Sequence, residues 1–103
     1  MVSKLTAASR DQTCAFGIHP WCEGGTETTV PCHLPSEDKG TSIKSPDWWV
    51  VDGCATCHAI VDGRMTVDLS EAELLRCQMR GIYRTWRRRI RDQKLITVPS
   101  GCE

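Results

Sequence analysis

Four cysteines and two histidines are the residues of this chain best suited to do chemistry. Cys54 and Cys57 have two residues between them, and Cys14 and Cys22 have seven. A Cys-x-x-Cys knuckle turns tightly enough to aim both sulfurs at one ion, and two cysteine pairs suit tetrahedral zinc in a closed structural site. The upstream pair is wider than the usual spacing of about two to four, which keeps His19 open as an alternative ligand. A lone cysteine is also a good small buried hydrophobe, so the metal reading rests on the pairing. Cys32, Cys77 and Cys102 fall outside it. His33 ends a β-branched run and His58 directly follows the knuckle. An imidazole titrates near neutrality and can take a proton from an attacking water. Taken singly, His33 reads equally well as a structural ligand or a buried ring, and His58 as a helix cap. Cys54-Ala55-Thr56-Cys57-His58 also matches the attachment site of c-type haem. That reading needs an oxidising compartment and leaves Cys14 and Cys22 without a role.

The elements that must position these groups follow from local pattern. Residues 14–25 read as a loop with a Gly24-Gly25 turn. Thr26 to Leu34 is a strand bent near Pro31, delivering Cys32 and His33 at its far end. Residues 35–47 are polar and turn-rich, a surface loop long enough to be functional. Trp48-Trp49-Val50-Val51 forms a second strand, and Asp52-Gly53 turns the chain into Cys54. A short helix runs from Ala55 to about Asp62 and stops at Gly63. Ser70 with Glu73 is a capping box opening a longer helix. Along it Leu75, Met79, Ile82, Trp86 and Ile90 recur at i+3/i+4 as a core-facing stripe, with Arg76, Arg80, Arg84, Arg87 and Arg91 on an adjoining face. Leu95 to Val98 adds a short terminal strand. Trp48 and Trp49 read as core and sheet edge, with stacking on a nucleobase as the alternative. The fold class is α+β.

With 103 residues and 40% apolar content, the chain has a thin core and needs a staple. Formal net charge is zero, but the seven arginines from Arg76 to Arg91 are interrupted by no acid. A solvated helix face usually mixes signs, so this run, including Arg88, points to phosphate. No stretch approaches the roughly 18 apolar residues of a membrane helix, and Met1 to Ala8 lacks the apolar part of a signal peptide. The expectation is a cytoplasmic protein with no membrane partner, whose cysteines bind metal rather than pair as disulfides.

The order Cys14…Cys22, Glu27-Thr28-Thr29-Val30, His33, Pro46-Asp47 and Cys54-x-x-Cys57-His58-x-x-x-Asp62 resembles the small prophage-encoded nucleases of the YbcO-like family, over about residues 5–64. The resemblance implies one zinc-stapled ββα-metal (HNH-like) domain over 1–103, with a core of about 5–66 and an Arg-rich helix of about 70–93. It implies zinc on Cys14, Cys22, Cys54 and Cys57, with His33 as general base and Asp47 orienting it or its strand. His58, joined by Asp62 one helical turn on, would hold a catalytic Mg2+ or Mn2+. One departure stands out: many HNH enzymes carry a metal-binding Asp just before the strand histidine, where this chain has Cys32. The activity implied is metal-dependent hydrolysis of DNA, with Arg76, Arg80, Arg84, Arg87, Arg88 and Arg91 on the phosphates. The alternative is a non-catalytic zinc-stapled DNA-binding or adaptor module; an interaction module using Trp48-Trp49 is a third reading.

Overall fold

The computed structural model describes residues 3–37 and 45–102. In chain order the elements are helix α1 (Lys4–Ala7), strands β1 (Val30–His33) and β2 (Val50–Gly53), helix α2 (Ala55–Val61) and helix α3 (Glu71–Arg87), which runs on into a π-helical turn, Arg88–Asp92. This is a small α+β fold with a two-stranded sheet and a long C-terminal helix. The strands are antiparallel, pairing Val30 with Gly53, Pro31 with Asp52, Cys32 with Val51 and His33 with Val50. The residues 38–44 at the centre of the polar loop expected between the strands lie outside the described residues.

Both site-bearing helices start where their caps dictate. Ser70 Oγ accepts the Glu73 N–H at 3.1 Å, and Glu71 and Glu73 set negative charge against the helix dipole. Cys54 caps α2, its sulfur accepting the Cys57 N–H. Gly63 follows with φ +79°, a left-handed turn that glycine makes without strain.

Phe16 is the centre of the core, fully buried with Ala15, Ile18, Cys32, Leu34, Val51, Cys54, Cys57 and Ile60. Two glycines let the backbone close around it. A Cβ on Gly53 would stand 2.6 Å from the Phe16 ring, and one on Gly81 would stand 2.6 Å from Val51 Cγ1 and 3.1 Å from Phe16 Cδ1. Gly81 is thus the point where α3 rests on the sheet. Alanine there gains about 1 kcal/mol of helix propensity but overpacks a dense interior at about 1–3 kcal/mol. Gly81→Ala is expected to lower the thermal midpoint; an unchanged or raised midpoint would contradict the contact.

Several local expectations are corrected. β1 begins at Val30 rather than Thr26, because Thr28 and Thr29 turn their hydroxyls to Glu23 and to the Gly25 carbonyl. Asp52 and Gly53 are paired strand residues, not a turn. Trp48 and Trp49 lie in the turn before β2, where the Trp49 N–H reaches the Pro46 carbonyl. The terminal strand at Leu95–Val98 does not form: the N–H groups of Leu95 and Ile96 close onto the Arg89 carbonyl instead.

The largest correction concerns the facing of α3. Its buried residues are Gly81 and Thr85, followed by Arg89 in the π-helical turn; of the expected apolar stripe Ile82 packs, half-buried, against the core. Leu75 and Met79 are exposed, while Trp86 is half-buried, edge-on to Trp48 and donating its indole N–H to the Trp48 carbonyl. The face turned inward is chosen by polar partners. Asp52, 0% exposed, accepts hydrogen bonds from Ser9 at 2.6 Å, from Arg88 at 3.0 Å, and from Arg89 at 2.6 and 3.2 Å. Arg89, 1% exposed, also reaches the Leu5 carbonyl, Ser9 and Gln93. Thr85 Oγ1 accepts the Asp52 N–H at 3.0 Å. A buried charge persists only when paired and hydrogen-bonded, and this network supplies both while tying α3 to β2 and α1.

Candidate metal centre and histidine pairs

The loop between α1 and β1 brings Cys14 and Cys22 against the N-terminus of α2, which carries Cys54 and Cys57. The four sulfurs lie within 4.8 Å of one another. Four thiolates at about 2.3 Å from a tetrahedral zinc stand about 3.8 Å apart, so the group fits a closed structural metal site. Cys14, Cys54 and Cys57 are buried and Cys22 half-buried, and none of the seven cysteines is in a disulfide. His19, the alternative ligand, is exposed and lies outside the group.

The surroundings favour the thiolate at Cys14 and the neutral thiol at Cys22 and Cys57. The Cys14 thiol is lowered to about 4, first by a hydrogen bond from Cys57 and then by backbone N–H groups of Gly17, Cys54 and Phe16. Cys57 is pushed up as the donor in that bond and by burial. Cys54 accepts N–H groups from Glu23 at 3.4 Å and Cys57 at 3.3 Å; such outer contacts orient metal ligands. The Glu23 carboxylate, next to Cys22, accepts the Thr56 N–H at 3.0 Å and hydroxyl at 2.9 Å. These bonds hold its acid below the usual range and fasten the loop to α2.

The loop is gripped from the other side by α3. Arg80 donates to the carbonyls of Phe16 at 2.9 Å and Gly17 at 3.0 Å, Arg84 to Ala15 at 3.4 Å, and Arg88 to Thr13 at 2.9 Å. These three arginines were expected on phosphate, and the structure sets their guanidiniums on the backbone around Cys14. No sequence signal separates the two uses, because carbonyl and phosphate oxygens are both acceptors suited to a guanidinium. Arg76, Arg87 and Arg91 are exposed, with Arg87 over the Tyr83 ring at 5.4 Å.

Each remaining histidine has a carboxylate partner. His33 Nε2 and Asp47 Oδ1 are 2.9 Å apart, joining the end of β1 to the approach to β2. His58 Nε2 and Asp62 Oδ2 are 3.0 Å apart across one turn of α2, with Arg64 at 3.4 Å from the same oxygen. All four side chains are partly exposed. Cys32 points the other way, buried against the Val30 and Gly53 carbonyls. Burial first, then the charge of Asp62, pushes its thiol up, so it stays neutral inside the core.

Residues 3–94 match the family described as "Putative nuclease YbcO". The chain belongs to the YbcO family. Relatives of that name in Escherichia coli strain K12 and in Enterobacteria phage 82 are each 33% identical over 86 residues, covering 82% of this chain and 88% of theirs. The family is thus associated with phage and prophage. A solved structure described as a bacteriophage protein from Escherichia coli K-12 aligns with TM-score 0.70 at 25% identity, over 85% of this chain and 98% of that one. Among the described residues of this YbcO-family chain, no helix is long and apolar enough to cross a membrane.

Proposed function

We propose that this YbcO-family chain is a metal-dependent endonuclease hydrolysing DNA phosphodiester bonds, with a single zinc-stapled, HNH-like ββα-metal domain spanning it. The observation that carries the reading is the His33–Asp47 pair at 2.9 Å on the rim of the sheet. With Nε2–H donated to Asp47, the Nδ1 lone pair of His33 is left to take a proton from water, and the carboxylate steadies the imidazolium that results. His58 and Asp62 are suited to hold a divalent ion. Their 3.0 Å separation equals that of neighbouring ligands at about 2.1 Å on an octahedral ion. His58 and Asp62 would hold such an ion, Mg2+ or Mn2+, and it would supply Lewis-acid stabilisation of negative charge developing on the phosphate. Arg76, Arg87 and Arg91 contact phosphates, giving backbone-directed, salt-sensitive binding. The four cysteines hold the zinc that positions α2, and with it His58.

The test is cleavage of supercoiled plasmid and of a branched junction by zinc-loaded protein, with and without Mg2+ or Mn2+. His33→Ala is expected to reduce cutting about 10²–10⁴-fold while its thermal melt is nearly unchanged, since the pair it breaks is partly exposed. A variant cutting as fast as the parent removes His33 from the role of base. Intact DNA in every lane, with salt-sensitive binding retained, favours a zinc-stapled binding module.

A further inference from the structure

The reaction proposed above gives no task to Trp48, which stands next to one of its residues. The Trp49 N–H donates to the Pro46 carbonyl at 2.9 Å, so Asp47 and Trp48 are the two central residues of one β-turn. The Asp47 carboxylate lies 2.9 Å from His33 Nε2, while Trp48 is 50% exposed. A singly exposed apolar residue is ordinary. What sets Trp48 apart is the turn it shares with the partner of His33, and the way that turn is held.

Trp49 donates its indole N–H to the Pro35 carbonyl at 3.0 Å, and Trp86 donates its own to the Trp48 carbonyl at 2.9 Å. Both rings meet the Trp48 ring edge-on, with centroids 6.2 and 6.3 Å away and interplanar angles of 70° and 81°. Neither stacks on it. The indole is thus braced on its neighbours while half of the residue stays in solvent, and a group ordered in advance loses little freedom on binding. An aromatic ring presented in this way is a platform for a nucleobase, since every base has a π-face. A base lies one sugar away from its phosphate, so a strand with its phosphate at His33 brings a base to the turn that carries Trp48. In continuous duplex that base is paired and stacked on both sides. An unpaired base offers a face at little cost.

We propose that Trp48 stacks on an unpaired nucleobase beside the scissile phosphate, so that the substrate class is DNA with single-stranded or branched nucleotides at the point of cleavage. The inference rests on the nuclease reading for the reaction and adds the form of DNA. Arginines on phosphate hold either form, because phosphate contacts position a strand without reading its bases; the stacking residue makes the distinction.

The experiment is fluorescence anisotropy of zinc-loaded protein with a labelled single strand and with the same strand annealed as blunt duplex. Mg2+ and Mn2+ are withheld, so that cutting does not intervene. The parent is expected to hold the single strand more tightly at equal salt. Trp48→Ala is expected to weaken the single strand about tenfold or more and to leave the duplex nearly unchanged. Trp48→Phe keeps a stacking face and a ring against Trp49 and Trp86, and retains most of the preference. Equal binding of both forms by the parent overturns the proposal. A loss in Trp48→Ala shared equally by the duplex also overturns it, and marks Trp48 as a packing residue. With Mg2+ or Mn2+ added, cuts are expected at the unpaired nucleotides of a branched junction, and cuts confined to its duplex arms count against the proposal. A single-strand preference that depends on Trp48 in a protein that cuts no DNA upholds the stacking and overturns only the nuclease reading.

Discussion

Cys57→Ser, or removal of zinc by a strong chelator, is expected to unfold the chain globally rather than loosen one loop. The four sulfurs join a loop before β1 to the start of α2. Three of them are also core residues packed with Phe16 and Ile18, so there is no separate core to survive their loss. Structural zinc contributes on the order of 10 kcal/mol in small domains, while a domain's whole stability is about 5–15 kcal/mol. Removing one buried ligand therefore approaches the full stability. Without the metal, Cys14, Cys54 and Cys57 remain as polarised sulfurs inside an apolar cluster. The check is circular dichroism across a thermal ramp, with zinc release followed colorimetrically and exposed Cys102→Ser as control. Chelated protein that keeps a cooperative transition at the original midpoint would show that the cysteines are packing residues only.

Asp52→Asn is expected to cost about 3–5 kcal/mol, the scale for breaking a buried ion pair from one side. The carboxylate is the common acceptor for Ser9, Arg88 and Arg89, and its neutralisation leaves the Arg89 guanidinium buried without a counter-charge. Arg89→Met should cost less, because Arg88 and Ser9 still serve Asp52 and the methionine fills much of the space. The order is the sharp part: chemical denaturation should rank Asp52→Asn below Arg89→Met, and both below the parent. The reverse order would mean that the guanidinium's contacts with Leu5, Ser9 and Gln93 outweigh the ion pair. Asp52→Asn also loosens the seat of α3, so it should weaken zinc retention through the Arg80, Arg84 and Arg88 contacts on the loop around Cys14.

Much of the site was legible in the residues themselves, because its chemistry is local or set by spacing. A Cys-x-x-Cys knuckle dictates its own turn, so spacing alone brings Cys54 and Cys57 together, whereas only the fold set Cys14 and Cys22, and not His19, beside them. Ser70 and Glu73 carry the start of α3, Gly63 the end of α2, and the four-residue step from His58 to Asp62 puts both on one helical face. What only the tertiary structure decided is which acceptor each donor meets and which face of a helix is covered. An i+4 row of arginines looks the same whether it reaches phosphate or a loop carbonyl, and Arg80, Arg84 and Arg88 took carbonyls. An apolar stripe looks the same whether it fills a core or awaits a second surface. On α3 the inner face went to Gly81, Thr85 and Arg89, because the close approach to Phe16 excluded a side chain and the buried Asp52 demanded a cation. Asp52-Gly53 has a turn-like sequence, yet pairing with Val30 and Pro31 drew it into the sheet. Spacing along the chain specifies what one element can do, whereas the partner of a polar group is a property of the packed whole.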